Sequence, residues 1–91
     1  MSTNRSSGAE REQRIAEVLV ALREIEGDSS VPKNARQRIT GAIGTLQEST
    51  DITIRASRAM AQLEELAEDP NVQSFTRTQL LNVVSRLEVA K

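Results

Sequence analysis

Apolar residues along this 91-residue chain recur at steps of three and four, in four separate stretches. That spacing places each set on one face of an α-helix. The first stretch, about residues 9–26, carries Ile15, Val18, Leu19, Leu22 and Ile25. Gly27 follows as an expected C-terminal stop, since glycine enters the left-handed region at little cost. The second opens near Pro32, where a missing N–H is harmless, and turns Ala35, Ile39, Ala42, Ile43 and Leu46 inward. Gly41 and Gly44 interrupt it, and the expected reason is close approach of another helix. The third starts around Ser49-Thr50-Asp51, all good capping residues, and carries Ile52, Ala56, Ala59, Met60, Leu63 and Leu66. Asp69-Pro70-Asn71 stops it. The fourth, about residues 75–90, turns Leu80, Val83, Val84 and Leu87 inward with Thr76 at one edge. No segment alternates as a strand would.

A shift of 41 residues, Asp28 to Asp69, lays the first half over the second. Glu24, Asp28, Val31, Arg36 and Leu46 then coincide with Glu65, Asp69, Val72, Arg77 and Leu87. Apolar positions stay in register around them. The shared turn, Asp then Val three later then Arg five beyond, is harder to obtain by chance than amphipathic periodicity. The period falls in the range of HEAT-like two-helix repeats. The expected fold is therefore all-α: a four-helix bundle or array of two HEAT-like αα-hairpins. Its domain plan is a flexible N-terminal tail over 1–8 and a single helical domain over 9–91. Repeat one covers about 9–48 and repeat two about 49–91.

Composition narrows the chemistry. The chain has one aromatic residue, Phe75, and no Cys, His, Trp or Tyr. Zinc, haem and iron–sulfur centres lose their usual ligands, as do Ser–His and Cys–His nucleophile pairs. Twelve basic against thirteen acidic residues give net charge −1 and no global attraction toward nucleic acid. The longest apolar run, Val18–Leu22, is far too short to cross a membrane. The first eight residues have no secretory character. A cytoplasmic location is the default expectation.

Several short motifs, in order, are fairly specific together. Val31-Pro32-x-Asn34-x-Arg36, Ile54-Arg55-Ala56, Leu63-Glu64-Glu65, Asp69-Pro70-Asn71, Thr76-Arg77-Thr78 and Val84-Ser85-x-Leu87-Glu88 resemble the small archaeal proteins grouped as uncharacterised protein family 0147. The resemblance runs from about Ile15 to Glu88. It implies a compact four-helix protein of the archaeal cytosol and brings no activity with it. This chain differs in holding Leu81 where that family usually carries a Trp, and Phe75 where it carries a His.

The paired Asp–Arg turns are the most distinctive candidate site. Arg36 and Arg77 sit early in their helices, where the dipole disfavours a cation. Either they pair with Asp28 and Asp69 to tie the turns together, or they bind an anion or partner carboxylate with the helix N-termini. Val72, Phe75 and Leu81 form a candidate apolar partner surface. Lys33, Arg36, Arg38, Arg55 and Arg58 are basic without aromatic interleaving, so nucleic acid is not the favoured partner. Glu64, Glu65, Glu68 and Asp69 read as a solvated acidic face, with no metal site expected. The resulting expectation is no catalytic residue, no metal and no cofactor. The chain reads as a non-catalytic protein-interaction module, with a second copy among the candidate partners. The alternative is an RNA- or ribosome-associated accessory protein.

Overall fold

The computed structural model describes residues 8–91, which form α1 (Gly8–Glu26), α2 (Lys33–Leu46), α3 (Ile52–Ala67) and α4 (Ser74–Ala90). Among the described residues there is no strand. The tail expected over 1–8 falls outside the described residues except for Gly8, which already opens α1.

Short turns at 27–32, 47–51 and 68–73 leave consecutive helices no choice but to run antiparallel. Substantial interfaces join α1 to α2, α2 to α3, α3 to α4 and α4 back to α1. The bundle is thus a closed ring. A solenoid would instead stack α1 on α3 and α2 on α4. The duplication survives in this ring as a pseudo-two-fold relation: the α2–α3 seam and the α4–α1 seam occupy equivalent places.

One core serves all four helices. The expected inward residues are buried, save Leu19, which packs half-buried at the edge, and Val31, Val72, Ala67 and Ala90 join them. Helix α3 begins where Asp51 caps it, its carboxylate accepting the Thr53 N–H at 2.8 Å. Pro32 stands at the N-cap of α2 rather than inside its first turn.

Both glycine expectations need correction. Gly27 does not enter the left-handed region. Its repeat equivalent is Glu68, an ordinary residue at φ −85°, so the position demands no glycine. The chain leaves α1 instead through the Asp28 turn described below. Nor do Gly41 and Gly44 admit a neighbouring helix: both are exposed, and a Cβ at either would meet nothing within 4 Å. Only their entropic cost remains. Gly41→Ala and Gly44→Ala should each stabilise the fold by about 1 kcal/mol. In thermal melts each substitution should raise Tm by about 4–8 °C.

Candidate functional site

The turns at 27–32 and 68–73 meet at one end of the bundle and share the bonds made around their Asp residues. The Asp28 N–H donates to the Ile25 carbonyl at 3.1 Å, and the Asp69 N–H to Leu66 at 3.0 Å. Val31 and Val72 each donate back to the Asp carbonyl at 3.0 Å. The Asp28 carboxylate accepts the Ser30 N–H at 2.9 Å; the Asp69 carboxylate accepts the Asn71 N–H at 2.8 Å. These are Asx turns, built from a short carboxylate folding onto its own backbone.

The carboxylates are therefore employed locally, and the expected Asp–Arg ion pairs do not form. Arg77 turns toward carbonyls. Its Nε donates to Ala67 at 2.7 Å, and its Nη2 donates to Val72 at 2.9 Å and Asp69 at 3.3 Å. The end of α3 leaves carbonyls without intrahelical donors, and a cation is favourable there. That offsets the unfavourable place of Arg77 in its own helix. With its fork committed to backbone, Arg77 is not free to receive an anion. Asp69 approaches Arg38 instead, at 3.9 Å.

Arg36 does not copy its repeat mate. Its Nε is buried without a hydrogen-bond partner. Beside it, Pro32, Asn34, Ala35, Asp69, Asn71 and Val72 line an open depression of about 310 Å³. The Asp69 carboxylate in that wall makes it a poor seat for phosphate.

The backbone and hydroxyl donors of Ser30 hold the Asp28 carboxyl below its usual range. A depressed folded pKa adds stability above the unfolded value, which is lost as pH falls through the folded one. For this exposed group the contribution is small. An NMR titration should find Asp28 ionised further into acid than an ordinary Asp. Ser30→Ala, which removes the hydroxyl donor (2.8 Å) but keeps the backbone one, should move it part-way back.

The apolar surface expected from Val72, Phe75 and Leu81 is not a single patch. Val72 is 4% exposed and belongs to the core. Phe75 and Leu81 are exposed, at 69% and 46%. Six residues apart on α4, they lie about 120° from one another around the helix. Most of the expected basic residues are paired: Arg38 with Glu65 (3.1 Å), Arg55 with Glu12 (2.9 Å) and Arg58 with Glu48 (2.8 Å). Among the described residues no group of three or more His, Cys, Asp or Glu could hold a metal ion. None of the helices is long and apolar enough to cross a membrane.

The family model described as Uncharacterised protein family (UPF0147) matches residues 2–90. The chain belongs to UPF0147. A UPF0147 protein of Sulfurisphaera tokodaii is 41% identical over 90% of this chain and 93% of its own length. One of Pyrococcus furiosus is 40% identical over 88% of each. The crystal structure of MMP1188, a protein of unknown function, superposes with TM-score 0.83 at 32% identity, covering 98% of this chain and 99% of that one. The UPF0147 crystal structure from Thermoplasma acidophilum gives 0.82 at 33% identity, over 89% and 96%.

In this UPF0147 chain, sequence reasoning missed the part played by Arg55 and Arg11. Arg55 donates to the Leu46 carbonyl at 3.0 Å and to Thr50 at 2.8 Å, closing the end of α2. Arg11 donates to Ala90 at 3.1 Å, closing α4, and to Thr53 Oγ1 at 2.9 Å. Three helix ends are each held by an arginine from the first or second turn of an adjoining helix. The signal was present in Arg77, whose awkward dipole position called for a neighbour's carbonyls as readily as for a carboxylate.

The two equivalent seams differ in finish. Along α2–α3, Arg38 bonds Glu65 and Arg58 bonds Glu48. At the equivalent places along α4–α1, Gln79 faces Glu24, and Val89 faces Glu17, across hollows that share Arg86. Both ion pairs are missing there. Among the described residues Arg14, Glu24 and Arg86 have no ion-pair partner, and Glu17 accepts only a 3.5 Å bond from Gln13.

Proposed function

We propose that this protein is a non-catalytic helical docking module of the cytosol that binds a protein partner through its α4–α1 face. The contrast between the equivalent seams supports this reading. Val20, Phe75, Leu81 and Val89 are exposed on α1 and α4. Their repeat equivalents on the other half are Ala61, Asn34, Thr40 and Glu48. Among the described residues, four of the five exposed large apolar side chains thus stand on α1 and α4, whose seam carries the unpaired charges, and one, Ile54, on α3. Phe75 and Val89 lie within about 40° of each other around α4 and so share one face of it. The absence of Cys and His from the sequence and the commitment of Arg77 to backbone carbonyls support a non-catalytic role.

Capture by the full-length tagged chain, incubated with untagged copy and native lysate, tests this. Wild type should retain protein, whether a second copy or another chain. A Phe75→Asp/Val89→Asp variant with an unchanged melt should lose it. Retention of RNA or DNA alone, weakening steeply with salt, overturns the proposal in favour of nucleic-acid binding. Retention unaffected by the two substitutions also overturns it.

A further inference from the structure

We infer that Arg36 is an open clasp, held off the carbonyls at the end of α1 by Glu26 and Thr40, and that its closing locks the 27–32 turn. Among the described residues, the end of α1 is the one helix end to which no arginine donates. The second repeat shows the closed form: Arg77 gathers the Ala67, Asp69 and Val72 carbonyls. The equivalent carbonyls in the first repeat are those of Glu26, Asp28 and Val31. The backbone bonds around Asp28 and Asp69 already match. Arg36 nevertheless reaches none of the three, and its Nε is buried without a partner. An unpaired buried donor is costly, so something must keep it there.

Two differences between the repeats supply the cause. Where the second repeat has Ala67 and Leu81, the first has Glu26 and Thr40. The Thr40 hydroxyl donates to the Glu26 carboxylate. The same hydroxyl lies 3.0 Å from the Arg36 carbonyl, so Glu26 is tied to the turn of α2 that carries Arg36. Arg36 and Thr40, four residues apart, share one face of α2. Because α1 and α2 run antiparallel through a short turn, a side chain leaving Glu26 for Thr40 crosses the level of Arg36. It fills the gap that the methyl group of Ala67 leaves open to Arg77. The first turn is then held by its Asp28 bonds alone, while an arginine adds three carbonyls to the second. The 27–32 turn is thus the corner of the ring that opens more readily.

Amide hydrogen exchange, corrected for intrinsic rates, tests this in the wild-type chain. The Asp28 and Val31 amides should be at least about tenfold less protected than those of Asp69 and Val72, the scale of one net hydrogen bond. Glu26→Ala/Thr40→Leu gives the first repeat the residues of the second and should close the clasp. In that variant the two turns should become about equally protected, and the Arg36 Nε–H resonance should move toward that of Arg77. Arg36→Ala added to it should then lower Tm about as far as Arg77→Ala lowers that of wild type, though it changes wild type little. Glu26→Gln, which still accepts from Thr40, should leave Arg36 open. Equal protection of the two turns in wild type overturns the inference. So does an Arg36→Ala effect that is the same with and without Glu26 and Thr40.

Discussion

Arg77→Ala should cost the fold about 2–3 kcal/mol in urea unfolding, because three carbonyls at the end of α3 and its turn lose a charged donor at once. The sum is held below three full charged hydrogen bonds because the guanidinium is only partly buried and water can reach part of the turn. Arg77→Lys should recover less than half, since a single ammonium cannot reproduce the fork that reaches Ala67, Asp69 and Val72 together. Arg36→Ala is the matched control. Its Nε is already buried without a partner, so its removal should change stability by no more than about 1 kcal/mol in either direction. Equal losses at Arg36 and Arg77 would show that the pair acts through its charge and not through carbonyl capping. Unchanged stability in Arg77→Ala would return Arg77 to the pool of ligand-binding candidates.

That asymmetry marks where the sequence was legible and where it was not. The stripes of all four helices were readable because burial follows a 3.6-residue period, whatever the partners are. The duplication was readable too, and its Asp turns reproduce one another closely. The role of Arg77 was not. Its residue type and position announced a compensated cation, but a carboxylate and a set of backbone carbonyls look alike from sequence, since carbonyls belong to every residue. Val72 misled for a related reason. It lies in a turn, outside any helical period, and only the closed ring reveals that it reaches the core. The order of the ring was likewise hidden. A 41-residue period suits stacked hairpins and a closed pseudo-two-fold bundle equally well. What separates them is whether α1 meets α3 or α4, and both answers bury the same stripes. The bare α4–α1 seam became visible only with that arrangement, since the comparison needs Gln79 beside Glu24 and Arg38 beside Glu65.

Leu22 and Leu63 turn the closed ring into a measurable claim. They are repeat equivalents, both 0% exposed, and each belongs to the one core shared by all four helices. Leu→Ala at such a site loses the transfer energy of the missing atoms and leaves a cavity, so each change should cost about 2–5 kcal/mol. In a closed bundle the loss is felt everywhere. Leu22→Ala and Leu63→Ala should each lower one cooperative transition, monitored by circular dichroism, with no shoulder from the unmodified half. Two hairpins merely stacked end to end would respond differently: the altered repeat would melt first and its partner later. Together the two substitutions remove a large part of the about 5–15 kcal/mol by which a domain is stable. The double variant should therefore be largely unfolded at room temperature, unless Gly41→Ala and Gly44→Ala are added to offset about 2 kcal/mol of the loss. Separate transitions in either single variant would mean that α4 does not close on α1 strongly enough to make the repeats one unit. The seam proposed for docking would then open instead of presenting a fixed face.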